Sequence, residues 1–84
     1  MPTTMTRTVA SWRHYQLAQA ITAMAGRLSN SMYAAGIAYT APGGSLMGKT
    51  HQQWGAAADR QFAAIQRLAR ALRDVDVATF GAEL

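Results

Sequence analysis

Thr40-Ala41-Pro42-Gly43-Gly44-Ser45-Leu46-Met47-Gly48-Lys49-Thr50 is the stretch that decides the fold. Proline fixes φ and lacks a backbone donor, and paired glycines are strong breakers, so a helix arriving from upstream ends near Tyr39. Thr50 with Gln53 then fits a capping box: the threonine hydroxyl takes the amide three residues on, and the glutamine reaches back. The reading is a helix over about 4–38, a Gly/Pro loop over about 39–49 and a helix over about 50–77.

Upstream of the break, the segment to Ala38 has no proline after Pro2, and its glycines, Gly26 and Gly36, are isolated. Leu17, Ile21, Met24 and Leu28 recur at spacings of four, three and four, which puts them on one helical face. Ala10 and Ala35 extend that face. Downstream, Trp54, Ala58, Phe62, Ile65, Leu68, Ala69, Leu72 and Val75 form an apolar stripe, with Arg60, Arg67, Arg70 and Asp74 opposite and Arg73 on the flank, three residues before Asp76. Ala78 to Leu84 can add a frayed turn or pack Phe80 on a neighbour. Two amphipathic helices joined by a loop of this length fold back on each other. The expected fold is all-α, a single antiparallel two-helix hairpin, with Leu17, Ile21, Met24 and Leu28 facing Trp54, Ile65, Leu68 and Leu72 across the seam.

Composition agrees. Alanine, the best helix former, occurs 18 times among 84 residues. Alanine also fills little volume, so two helices of this length bury only a thin core. The chain has no cysteine to staple that core. Association with another chain is the remaining route to buried surface, and the expectation is that oligomerisation completes the fold. Helix one carries the means: Met5, Val9 and Trp12 form a second apolar strip rotated from the first, and together with Tyr33 and Ile37 they make the expected outer contact surface.

Eight Lys/Arg against four Asp/Glu leave a net charge of +4, and Lys49 is the only lysine. A basic balance suits nucleic acid, an anionic membrane surface or an acidic partner. Arg60, Arg67 and Arg70 are the candidate anionic contact. The plainer reading of the same arginines is a solvated helix face, with Arg70 four residues before Asp74, and the ten-residue connection is too long for a helix-turn-helix. Nucleic acid is therefore the less favoured partner, and a protein, self or another helical chain, the favoured one. No apolar run approaches the roughly 20 residues that span a bilayer. The segment from Met1 to His14 lacks the apolar core of a secretory signal, so the localisation expected is cytoplasmic, or export without a cleaved signal.

Catalytic and cofactor chemistry find little support. His14 and His51 lie on different helices with no carboxylate or second histidine three or four residues on, whereas a metal needs converging ligands. No Ser-His-acid or Cys-His set exists to activate a nucleophile. Gly43-Gly44-Ser45-Leu46-Met47-Gly48-Lys49-Thr50 satisfies the phosphate-loop string, but that motif works after a buried strand in a sheet far larger than this chain can hold. The chain is read as a non-enzyme without metal or cofactor.

The segment Gln53 to Val75 resembles the WXG family of small type VII secretion substrates, helical hairpins of about this size that carry a Trp-x-Gly motif. The string here is Trp54-Gly55-Ala56-Ala57-Ala58-Asp59-Arg60-Gln61-Phe62, with Trp54, Ala58 and Phe62 at matching intervals and Ile65, Leu68 and Leu72 continuing the stripe. The glycine follows the tryptophan directly, with Ala56 in the motif's glycine position. The family's C-terminal Tyr-x-x-x-Asp/Glu signal has no counterpart, Tyr39 being the last tyrosine. The resemblance implies a non-enzymatic module that pairs with another helical protein. Two other classes fit a hairpin with a proline-containing turn: a structural subunit of a helical assembly, such as a secretion needle or a phage component, and a small phage or host adaptor.

Overall fold

A computed structural model describes residues 7–80. Helix α1 runs Arg7–Thr40 and helix α2 runs His51–Phe80, and they pack antiparallel as a hairpin. The fold is all-α apart from two-residue strands β1 (Ser45–Leu46) and β2 (Lys49–Thr50), paired antiparallel within the connection. The molecule is a rod of 57 × 19 × 18 Å, with a radius of gyration of 17.8 Å. A compact chain of this length has about 12 Å.

The two helices share one repeat. On α1 one line of buried and half-buried positions runs Ala10, Leu17, Ile21, Met24, Leu28, Ser31, Ala35 and Ala38, three and four residues apart in alternation, with His14 filling the single break and Ala18, Ala20, Ala34 and Ile37 flanking the line. On α2 the series is Trp54, Ala58, Gln61, Ile65, Leu68, Leu72, Val75 and Thr79, again alternating four and three. A repeat of seven residues over two turns keeps one seam facing the neighbour when the helices wind gently around each other. The register is marked at both ends. His14 Nε2 lies 3.5 Å from Asp76 Oδ1, and His51 Nδ1 lies 2.8 Å from the Ala35 carbonyl oxygen.

The expected seam residues fall on this line: Leu17 is buried, and Ile21, Met24, Leu28, Trp54, Ile65, Leu68 and Leu72 are half-buried. Phe62 and Ala69 of the anticipated stripe do not, both being exposed. Eight residues from Trp54 to Phe62 overshoot two turns by about 80° at 100° per residue. The seam therefore takes Gln61 instead. Its Oε1 is buried and accepts no hydrogen bond. Helix two also runs three residues past Val77, since no breaker stands before Gly81 and the Thr79 hydroxyl donates back to the Val75 carbonyl at 2.8 Å.

The core is thin. Ala10, Leu17 and Val75 cluster with Leu68, Ala71 and Leu72 at the end away from the loop. At the loop end the buried side chains are almost all alanines: Ala34, Ala35 and Ala38 on α1, and Ala57 and Ala58 on α2. Small side chains there let helix axes approach closely, but among the described residues they leave no large side chain fully removed from solvent.

Two substitutions test this seam from its apolar end. Leu17, 4% exposed, is expected to cost about 2–5 kcal/mol when changed to alanine, and the half-buried Leu68→Ala less. A third, Gln61→Leu, replaces an orphaned acceptor by an apolar side chain and is expected to raise stability by about 1 kcal/mol. Urea denaturation followed by circular dichroism measures all three.

Candidate interaction surface

The loop is built as a clamp. Gly44 N–H donates to the Ala41 carbonyl at 2.9 Å, closing a turn with Pro42 and Gly43 at its centre. Gly43 has φ 82° and ψ −4°, the third-position geometry of a type II turn. Met47 (φ 51°) and Gly48 (φ 78°) link β1 to β2 with the two positive φ angles of a type I′ hairpin. The Gln53 N–H donates to Thr50 Oγ1 at 3.2 Å and the Thr50 N–H to Gln53 Oε1 at 2.9 Å, so the capping box forms. The strand pair was not legible in the sequence, because two residues per strand are too few to alternate.

Aromatic and cationic side chains lock this clamp to both helices. The Trp54 indole N–H donates to the Leu46 carbonyl at 3.0 Å, and Lys49 Nζ stands 4.6 Å from the Trp54 ring centroid. Because the Ala35 carbonyl can only accept, His51 Nδ1 carries the proton between them. The His51 ring also meets Tyr39 edge-on at 5.1 Å. In the phosphate-loop string, then, the glycines serve turns, Lys49 covers Trp54 and the Thr50 hydroxyl caps α2. Among the described residues no three His, Asp or Glu side chains group as metal ligands, and no helix is long and apolar enough to cross a membrane.

Arg60, Arg67 and Arg70 are all exposed on α2. Arg60 and Arg67 lie within about 20° of one line along the helix, and Arg70 is rotated about 60° from Arg67. Arg60 adjoins two shallow troughs, one with Lys49, Gln53 and Ala56, the other with Met24, Arg27 and Ala57. No ion pair within 4.0 Å joins Arg70 to Asp74. His14, which has no partner along its own helix, finds Asp76 across the hairpin.

The most distinctive surface is the outer face of α1. Val9, Trp12 and Tyr33 of the expected contact set are exposed, Trp12 by 61% and Tyr33 by 74%. Ile37 is half-buried on the flank, and Met5 lies outside the described residues. Trp12 and Tyr33 do not meet: 21 residues apart, they stand roughly 31 Å from each other along the helix. Trp12 instead stacks on Tyr15, centroids 5.8 Å apart and planes at 26°. At the other end Met32, Tyr33 and Tyr39 stand exposed. Tyr15, Met32 and Tyr39 lie off the single strip that periodicity picks out, because the face spans three neighbouring heptad positions.

Those three positions, the lines that start at Ser11, Trp12 and Tyr15 and recur every seven residues to Thr40, hold no charged side chain: Arg13, Arg27 and His14 all sit beside or on the seam. The face's polar groups are also partly satisfied within the helix. The Gln19 amide donates to the Tyr15 hydroxyl at 2.7 Å, and the Thr22 hydroxyl to the Ala18 carbonyl at 3.0 Å. On α2, by contrast, Asp59, Arg60, Arg67, Arg70, Arg73 and Asp74 keep the outer face charged.

Comparison of the chain with known protein families, curated proteins and solved structures finds no match.

The arginine face has a direct test. Phosphate binding through arginines weakens steeply with salt. We expect no duplex DNA binding to survive physiological salt in a mobility-shift titration, and Arg67→Ala with Arg70→Ala to change nothing there. A shift that persists at that salt and is lost in the double variant would assign this face to nucleic acid.

Proposed function

We propose that the protein is a non-catalytic helical interaction module that docks another helical chain along the outer face of α1. One observation carries the reading: large apolar and aromatic side chains are exposed on a strip of α1 that bears no charge. Scattered exposed apolar residues are ordinary, but here they gather into two groups, Trp12 with Tyr15 and Met32 with Tyr33 and Tyr39, at the two ends of one uncharged helix face, which supports a docking surface. Tyrosine, tryptophan and methionine are the residues enriched at such surfaces, and charged residues those depleted.

The hairpin's architecture gives the face a purpose. A thin, alanine-rich seam leaves much of each helix uncovered, and a third or fourth helix laid on α1 would add the burial that the hairpin lacks. A role as a type VII secretion substrate, as a repeating subunit of a helical assembly or as an adaptor would each use such a face. The resemblance around Trp54 favours the first, although Trp54 itself is spent on the loop clamp through its bond to Leu46.

Photo-crosslinking in the native cell tests the surface whatever the partner is. A photoactivatable phenylalanine analogue at Tyr33 is expected to yield one discrete adduct, and the same group at Arg70, on the charged face of α2, none. Equal labelling from both positions, or none from either, would contradict the assignment.

A further inference from the structure

We infer that the occupant of the α1 outer face is a second copy of this chain, its α1 antiparallel to the first and related to it by a two-fold axis passing between Ala25 and Gly26. The inference rests on the reading of that face as the interaction surface and adds the partner and the register.

Gly26 and Gly36 sit inside a 34-residue helix with no other part of the hairpin within 4 Å of where a Cβ would stand. A mid-helix glycine destabilises relative to alanine, and the hairpin has no close approach to explain either one. Both lie on the outer face.

An antiparallel two-fold centred between residues 25 and 26 brings together positions whose numbers add to about 51. Along the middle of the face, Tyr15 then meets Gly36 of the second copy, and Thr22 meets Ser29. On one flank Ala25 meets its own equivalent, Met32 lies over Ala18 and Tyr39 over Ser11. On the other Gly26 meets its equivalent, Tyr33 lies over Gln19 and Trp12 over Thr40. Each large side chain falls on a smaller one, and the smallest residues fall on the axis. Ridges entering grooves in this way are what close helix packing requires. The face is thus complementary to itself, as an isologous interface must be.

Charge points the same way. The chain carries +4, so a surface with cations on it would repel a second copy. The uncharged face is where two like-charged rods can meet without juxtaposing arginines, and an acidic partner would gain nothing there. Size is adequate: residues 11–40 span roughly 45 Å, and a strip about 10–12 Å wide gives near 1,000 Å² over both copies, the threshold for a specific interface.

The absence of native cysteine makes the register testable. Ala25→Cys and Gly26→Cys are exposed positions, expected to cross-link to their own equivalents with a short bismaleimide. An equimolar mixture of Thr22→Cys and Ser29→Cys chains should yield a mixed dimer well above the yield of either alone. Ser11→Cys, about 40 Å from its equivalent in this arrangement, should yield none. Self-cross-linking of Ser11→Cys as efficient as that of Ala25→Cys would mean parallel pairing and overturn the register. Sedimentation of the uncross-linked protein gives the second arm, with Gly26→Leu expected to weaken self-association at least tenfold while circular dichroism keeps its helicity. A monomer at all concentrations would overturn the second copy as partner. The docking surface itself would still stand if Tyr33 yields its adduct with a different protein in cells, and would fall too if it yields none.

Discussion

Two helices that must stay in contact over more than 40 Å face a geometric constraint before any chemical one. A straight helix with 3.6 residues per turn carries any fixed stripe away from its neighbour, and only a repeat averaging 3.5 keeps the same line of side chains in register under a slight left-handed winding. This chain meets the constraint from Ala10 to Ala38 on one side and from Trp54 to Thr79 on the other. Everything else follows from that shared seam. It places Asp76 beside His14 and His51 beside Ala35. It turns Phe62 outward and Gln61 inward. It leaves an entire face of α1 without a neighbour.

The seam is unequal along its length. Leucine and valine concentrate at the open end, whereas alanine fills the end near the loop. Close packing of small side chains stabilises less per residue than burial of leucine, so the loop end depends more on specific contacts. The clamp supplies them: the His51–Ala35 hydrogen bond, the Trp54–Leu46 hydrogen bond, the Lys49–Trp54 cation–π contact and the reciprocal Thr50–Gln53 cap. A string that reads as a nucleotide motif thereby becomes a structural device, and its lysine and threonine are both engaged within the hairpin.

The fold was legible because its signals are local and strong: a Pro-Gly-Gly break, a capping box and a four-three-four run of large residues in Leu17 to Leu28. The errors arose where residue size misled. Phe62 is large and Gln61 polar, so size and polarity assigned the stripe wrongly, whereas the interval from Trp54 places Gln61 on the seam. Of the large side chains on the outer face, Trp12 and Tyr33 were legible, and Val9 lies one line beside it. The rest needed the orientation of α1 about its axis, which the small seam residues Ala10, Ser31 and Ala38 establish and which four large ones define too loosely. A partner for that face is not legible in one helix's periodicity, because complementarity depends on how residues ten or twenty apart match a second surface.

Trp12 reports on that surface most directly. With Trp54→Phe, which leaves it the only tryptophan of the two, its emission and its quenching by acrylamide measure whether water reaches the ring. On the hairpin alone it is mostly exposed. Burial of Trp12 against a second copy gives blue-shifted, quencher-protected emission at tens of micromolar protein, reverting to that of a solvated indole on dilution. Emission of a fully solvated ring, quenched freely at every concentration, would contradict it.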